Sequence, residues 1–133
     1  MKTHYTVALA MLAGFGLGAV AVQGLHAQAK PVVYRIAEID ITNPEAYAKE
    51  FLPRAVPTIK ASGGRQLASG GAGGGGKVTA LEGEAPKSRI AIQAFDSVEQ
   101  IQAWLNSPAY KEARKIGEKY AKFRSFAIEG IPN

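Results

Sequence analysis

Four polar side chains lie on or beside predicted strands of this chain: Glu38, Glu82, Arg89 and Gln93. A carboxylate and a guanidinium held in a partly apolar cleft can shift the acid's pKa and orient a carbonyl or carboxylate ligand. The plainer alternative is a salt bridge between strands or across a dimer, because structural ion pairs perturb pKa values too. Arg89 is the sharpest of the four. It opens the apolar run Arg89 to Phe95, where a long cation beside Ile90, Ala91 and Ile92 needs a partner: Glu38, Glu82, or an acidic or carbonyl ligand. Phe95, Trp104 and Tyr110 either line an apolar ligand pocket or pack as ordinary core. Acid–base chemistry near neutrality would fall to Glu38 or Tyr34 acting with Arg89, since the region after the leader has no histidine.

Other chemistries are excluded by composition. There is no cysteine, which removes disulfides, iron–sulfur ligation and thiolate catalysis. Both histidines, His4 and His26, precede Lys30, so a domain starting there has no Ser-His-Asp or Cys-His machinery, no His-ligated zinc and no proximal-His haem. No cofactor and no metal are expected. The tract Gly70 to Gly76 followed by Lys77 approaches a phosphate loop, but the hydroxyl required at position 78 is a valine and a strand is predicted where a helix must begin. A flexible hairpin loop is the better reading. Lys111, Arg114, Lys115, Lys119 and Lys122 form a basic stripe diluted by Glu112 and Glu118, with Glu118 and Lys122 spaced as a helical ion pair. Nucleic acid is not an expected partner, because the basic surface is sparse and lacks interleaved stacking aromatics.

The elements that must position these residues follow an N-terminal leader. Lys2 precedes a 16-residue run without polar side chains, Val7 to Val22, and Ala27-Gln28-Ala29 offers a small-x-small cleavage site. Residues 1–29 therefore read as a signal peptide and the protein as periplasmic or secreted. An uncleaved anchor is the alternative and the only route to a membrane, with Gly14 and Gly18 as its packing motif. The remaining residues make one domain.

Val32 to Thr42 reads as a strand, with Val33, Ala37, Ile39 and Ile41 on one face and Val32, Tyr34, Ile36 and Glu38 on the other. Asn43-Pro44-Glu45 starts a helix burying Tyr47, Phe51, Val56 and Ile59, which Pro53 and Pro57 kink or split before Ser62-Gly63-Gly64. Arg65 to Ser69 and Val78 to Glu82 read as short strands, Glu84 to Lys87 as a turn, and Arg89 to Phe95 as an inner strand. Asp96 or Ser97 caps a helix with Val98, Ile101, Trp104 and Leu105 inward. Ser107-Pro108 restarts it with a stripe of Ala109, Ala113, Ile116 and Tyr120, and Arg124 to Ile131 is the last strand. This order, β-α-β-β-α-β, predicts an α+β ferredoxin-like plait with helices on one face of an antiparallel sheet. The first strand is apolar on both faces, so a second copy of the sheet is expected to cover the other side.

The pattern Tyr34 to Glu38, Asn43-Pro44-Glu45-Ala46-Tyr47, Gly63-Gly64, Leu81-Glu82-Gly83, Pro86, Arg89, Phe95, Trp104, Ser107-Pro108-Ala109-Tyr110 and Glu129-Gly130 resembles the domain of unknown function 1330 (DUF1330) family, in the dimeric α+β barrel superfamily. The resemblance implies a ferredoxin-like protomer pairing through its sheet as a homodimer, and implies no activity. Three readings stay open: an exported protein that binds a small, partly apolar ligand; a cofactor-independent enzyme of monooxygenase or isomerase type; and a structural or envelope-associated module. The candidate ligand-binding residues are Tyr34, Glu38, Glu82, Arg89, Gln93, Trp104 and Tyr110.

Overall fold

The computed structural model describes residues 30–132; the leader reading falls outside them. Four strands, β1 (Val33–Ile41), β2 (Arg65–Gly71), β3 (Arg89–Phe95) and β4 (Ala121–Glu129), form one antiparallel sheet in the order β2-β3-β1-β4. This is the expected plait. Between β1 and β2 lie α1 (Pro44–Ala46), a π-helical turn (Tyr47–Phe51) and α2 (Leu52–Ala61); between β3 and β4 lie α3 (Val98–Leu105) and α4 (Pro108–Gly117). Among the described residues no helix is long and apolar enough to cross a membrane.

Local chemistry sets the helix boundaries. The side-chain oxygens of Asn43, Ser97 and Ser107 accept hydrogen bonds from the backbone N–H groups of Ala46, Gln100 and Tyr110, and Pro44 and Pro108 occupy first-turn positions that need no N–H. Pro53 cannot donate to the carbonyl four residues back and its ring would crowd that carbonyl. The backbone widens instead, and the Leu52 N–H donates to the Tyr47 carbonyl five residues back. The break thus precedes Pro53, while Pro57 is carried inside α2.

The β1 residues Val33, Arg35, Ala37 and Ile39 are buried under the helices, and the alternate residues Tyr34, Ile36 and Glu38 face the other way. The core joins the inward apolar set to Tyr47, Phe51, Ala55, Ile59, Phe95, Ile101, Trp104 and Tyr110. Gly117 admits the aromatic cluster of Tyr47, Phe51 and Phe123, for a Cβ there would lie 2.7 Å from the Phe51 ring.

Several expectations are corrected. Val78 to Glu82 forms no strand; residues 77–88 run irregularly into β3. Val56 is 44 % exposed, and Ala55 takes the inward position, because it lies four residues from both Phe51 and Ile59 on the buried helix face. On the last helix Ala109 is exposed and Tyr110 buried. Glu118 pairs with Arg114, not Lys122, since the helix ends at Gly117 and Lys122 belongs to β4, which starts three residues earlier than expected. The glycine tract is a folded turn: the Gly76 N–H donates to the Ser69 carbonyl, the Gly71 N–H to the Gly76 carbonyl, and Gly73, Gly74 and Gly75 all have positive φ.

Candidate functional site

A cavity of about 230 Å³ lies between the helices and the inward face of the sheet. Tyr47, Phe51, Ala55 and Ile59 wall it from the helix that follows β1, Trp104 and Tyr110 from the second helical pair, and Phe123 from β4. Its floor is polar. Arg35 from β1, Arg89 and Gln93 from β3, and Gln66 and Ser69 from β2 all line it. Register brings them together: Arg35 is opposite Gln93, Gln93 opposite Gln66, and Arg89 opposite Ile39. A register shift between Gln66 and Ala68 turns both Gln66 and Ser69 inward, although they are three positions apart. Val56 and Gln66 are the exposed members of the lining, placing the mouth between α2 and the edge strand β2.

The two arginines are nearly sealed off from solvent, Arg35 at 4 % and Arg89 at 7 % exposure. Arg35 donates through Nη1 to Gln93 Oε1 at 2.8 Å and stacks over the Trp104 ring at 4.9 Å. Gln93 in turn donates to Gln66 Oε1 at 2.9 Å, a chain that holds Gln93 with its acceptor toward the guanidinium. Arg35 Nε is buried with no partner. Arg89 donates through Nη1 to the Gly74 carbonyl at 2.7 Å and through Nη2 to Ser69 Oγ at 2.6 Å, so the folded glycine turn caps it. Trp104 is fixed by donating from Nε1 to Thr58 Oγ1 at 2.9 Å.

Electrostatically this is a cationic pocket. No ion pair among the described residues engages Arg35 or Arg89. Burial lowers the Arg35 pKa from its ordinary value, and the neighbouring Tyr110 hydroxyl partly offsets this. Tyr47 is pushed up to about 12 by burial, with Arg89 and Arg35 acting in the opposite direction. It is therefore a neutral hydroxyl at physiological pH, a donor or acceptor but not a base. Among the described residues, the lining contains no carboxylate.

Of the seven candidates, the structure gathers Arg89, Gln93, Trp104 and Tyr110 around one cavity and leaves three elsewhere. Tyr34 and Glu38 are on the opposite face of the sheet, where Glu38 pairs with Arg124 at 3.2 Å. Glu82 is exposed in the irregular segment. Arg89 is thus bound to neither Glu38 nor Glu82. Phe95, 5.5 Å from Trp104 ring to ring, is core. Arg35, Tyr47, Gln66 and Ser69 are polar members that sequence reasoning did not select. Arg35 carried a signal, because it shares the odd parity of Val33, Ala37 and Ile39.

Solved structures that share the fold include these three. A protein of unknown function from Rhodopseudomonas palustris is 16 % identical, with a TM-score of 0.59 over 86 % of this chain and 94 % of that one. SnoaB, a cofactor-independent oxygenase from Streptomyces nogalater, is 10 % identical, with a TM-score of 0.54 over 77 % of this chain and 96 % of that one. An uncharacterized NIPSNAP domain protein from Burkholderia xenovorans is 11 % identical, with a TM-score of 0.51 over 75 % and 94 %. At such identities the likeness is one of fold alone. No curated protein matches the chain. Residues 32–131 match a domain of unknown function, DUF1330, and the chain belongs to that family.

Proposed function

We propose that this chain is an exported, homodimeric protein that binds a small, partly apolar molecule in the cavity between helices and sheet. One observation carries the reading: a concave, aromatic-walled space on which a few fixed polar groups converge, the usual composition of a small-molecule site. A structural module has no need of such a space. Catalysis with Glu38 or Tyr34 as base is disfavoured, because both lie across the sheet from Arg89 and the neutral Tyr47 cannot replace them. Likeness of fold to an oxygenase does not supply the missing base.

The homodimer is supported by the open face of the sheet. Ile92, Ile36 and Phe126 form one row across it and Ala94, Tyr34 and Ile128 the next, with Phe126 40 % and Ile128 50 % exposed. An apolar sheet face of this kind is seldom left open in a soluble monomer. Export is supported by the apolar run and the Ala27-Gln28-Ala29 site.

Native mass spectrometry of protein purified from its own host tests all three parts. The expected species is twice the protomer mass, begins near Lys30 and retains a small molecule. An empty monomer carrying the full leader would overturn the reading.

A further inference from the structure

We propose that the cavity selects a small organic carboxylate whose apolar body is about one ring in size, with Arg35 as its anchor and Arg89 as the second cation. This rests on the binding reading above and names its ligand class. Four observations lead to it.

The first is charge. Two guanidiniums are buried in one cavity without a carboxylate partner among the described residues. A buried charge without a counterion is costly, so an anion entering the site gains interactions that a neutral ligand cannot. Arg114 adds to the positive field around Arg35 and Tyr47, although Glu118 partly neutralises it.

The second is unequal satisfaction. Arg89 donates to two oxygens, whereas Arg35 donates to Gln93, has the Tyr110 hydroxyl beside it and keeps Nε buried and unpartnered. The open donor is on Arg35. A planar guanidinium offers parallel N–H groups suited to a carboxylate, in contrast to the single point charge of a lysine.

The third is spacing. Arg89 faces Ile39, four residues along β1 from Arg35, a separation of about 13 Å between backbone positions. Both side chains reach the cavity, and the Tyr47 hydroxyl feels both charges. A carboxylate at Arg35 therefore leaves its body beside Tyr47, Phe51 and Trp104, under the influence of the second cation.

The fourth is size and lining. An apolar cavity of ~150 Å³ accepts benzene. The 230 Å³ here accommodates one ring and a carboxylate. Aromatic walls disfavour inorganic phosphate, which offers no apolar surface.

Benzoate, benzamide and inorganic phosphate are the probes, titrated calorimetrically into the mature protein at low salt. Benzoate is expected to bind at least tenfold more tightly than its neutral isostere benzamide, with phosphate weaker still. Arg35→Met is expected to keep the fold and melting temperature while reducing benzoate binding to the benzamide level. Arg35→Lys, which keeps the charge but not the planar fork, is expected to weaken benzoate several-fold and to retain its preference over benzamide. This variant carries the test if Arg35→Met does not fold.

Benzamide binding as tightly as benzoate would overturn the anion assignment while leaving the binding reading intact. Phosphate competing as well as benzoate would overturn the carboxylate class. Binding of none of the three would overturn the single-ring carboxylate; host-purified protein retaining a neutral molecule, or nothing, would then decide the binding reading separately.

Discussion

The two faces of the sheet are built in opposite ways. On the face beneath the helices the central strands β1 and β3 bury their inward residues, yet these include Arg35, Arg89 and Gln93. The other has no helix over it, yet its central rows are Ile92, Ile36, Phe126 and Ala94, Tyr34, Ile128. A sheet shaped only by water would put its charges on the uncovered side and its isoleucines beneath the helices. The inversion separates two purposes. The covered charges have hydrogen-bond partners but no counterion, and the apolar surface on the uncovered side has no cover within the protomer.

The most damaging change falls on the covered face. Trp104 is 2 % exposed, stacks against Tyr110 at 4.4 Å and hydrogen-bonds Thr58. Trp104→Ala should lower unfolding free energy by about 3 to 5 kcal/mol, as large-to-small core changes do. Chemical denaturation checks this; a loss below about 1 kcal/mol would mean that the cavity wall is not part of the core.

On the open face, Ile36 is the centre of its row, flanked by Ile92 and Phe126. Ile36→Glu should weaken self-association by about 2 kcal/mol or more, some thirtyfold in dissociation constant, while the protomer stays folded. Sedimentation velocity with circular dichroism separates the two effects. An unchanged dimer would place the interface elsewhere.

The smallest effect is expected at Glu38, which shares that face. Its partner Arg124 is 74 % exposed, so Glu38→Gln should change stability by only about 0 to 1 kcal/mol. Ligand binding should be unaffected. Loss of binding in Glu38→Gln would connect the two faces and remove the distinction drawn between them.

The elements were largely legible in the sequence because their signals are local. Asn43-Pro44, Ser97 and Ser107-Pro108 cap helices with their own side chains, and alternation along Arg89 to Phe95 identifies a strand whatever it pairs with. The site was legible only in part. Arg89, Gln93, Trp104 and Tyr110 stand out as polar or aromatic exceptions within apolar runs, but position near a strand singles out Tyr34 and Glu38 equally well. Glu82 belongs to a predicted strand that does not form.

Alternation within β1 by itself determines that Arg35 shares a face with Ala37 and that Glu38 does not. Which β1 face coincides with the Arg89 face is set by the pairing of Ile39 with Arg89, 50 positions apart in the chain. That register is a long-range choice, fixed by burying the larger apolar set under the helices, and no local pattern encodes it. The glycine tract follows the same division. Its composition determines that the backbone can take positive φ, while only the packed structure decides that the turn brings the Gly74 carbonyl to Arg89. A buried guanidinium must find an acceptor, and the nearest one comes from a segment 15 residues away in the chain.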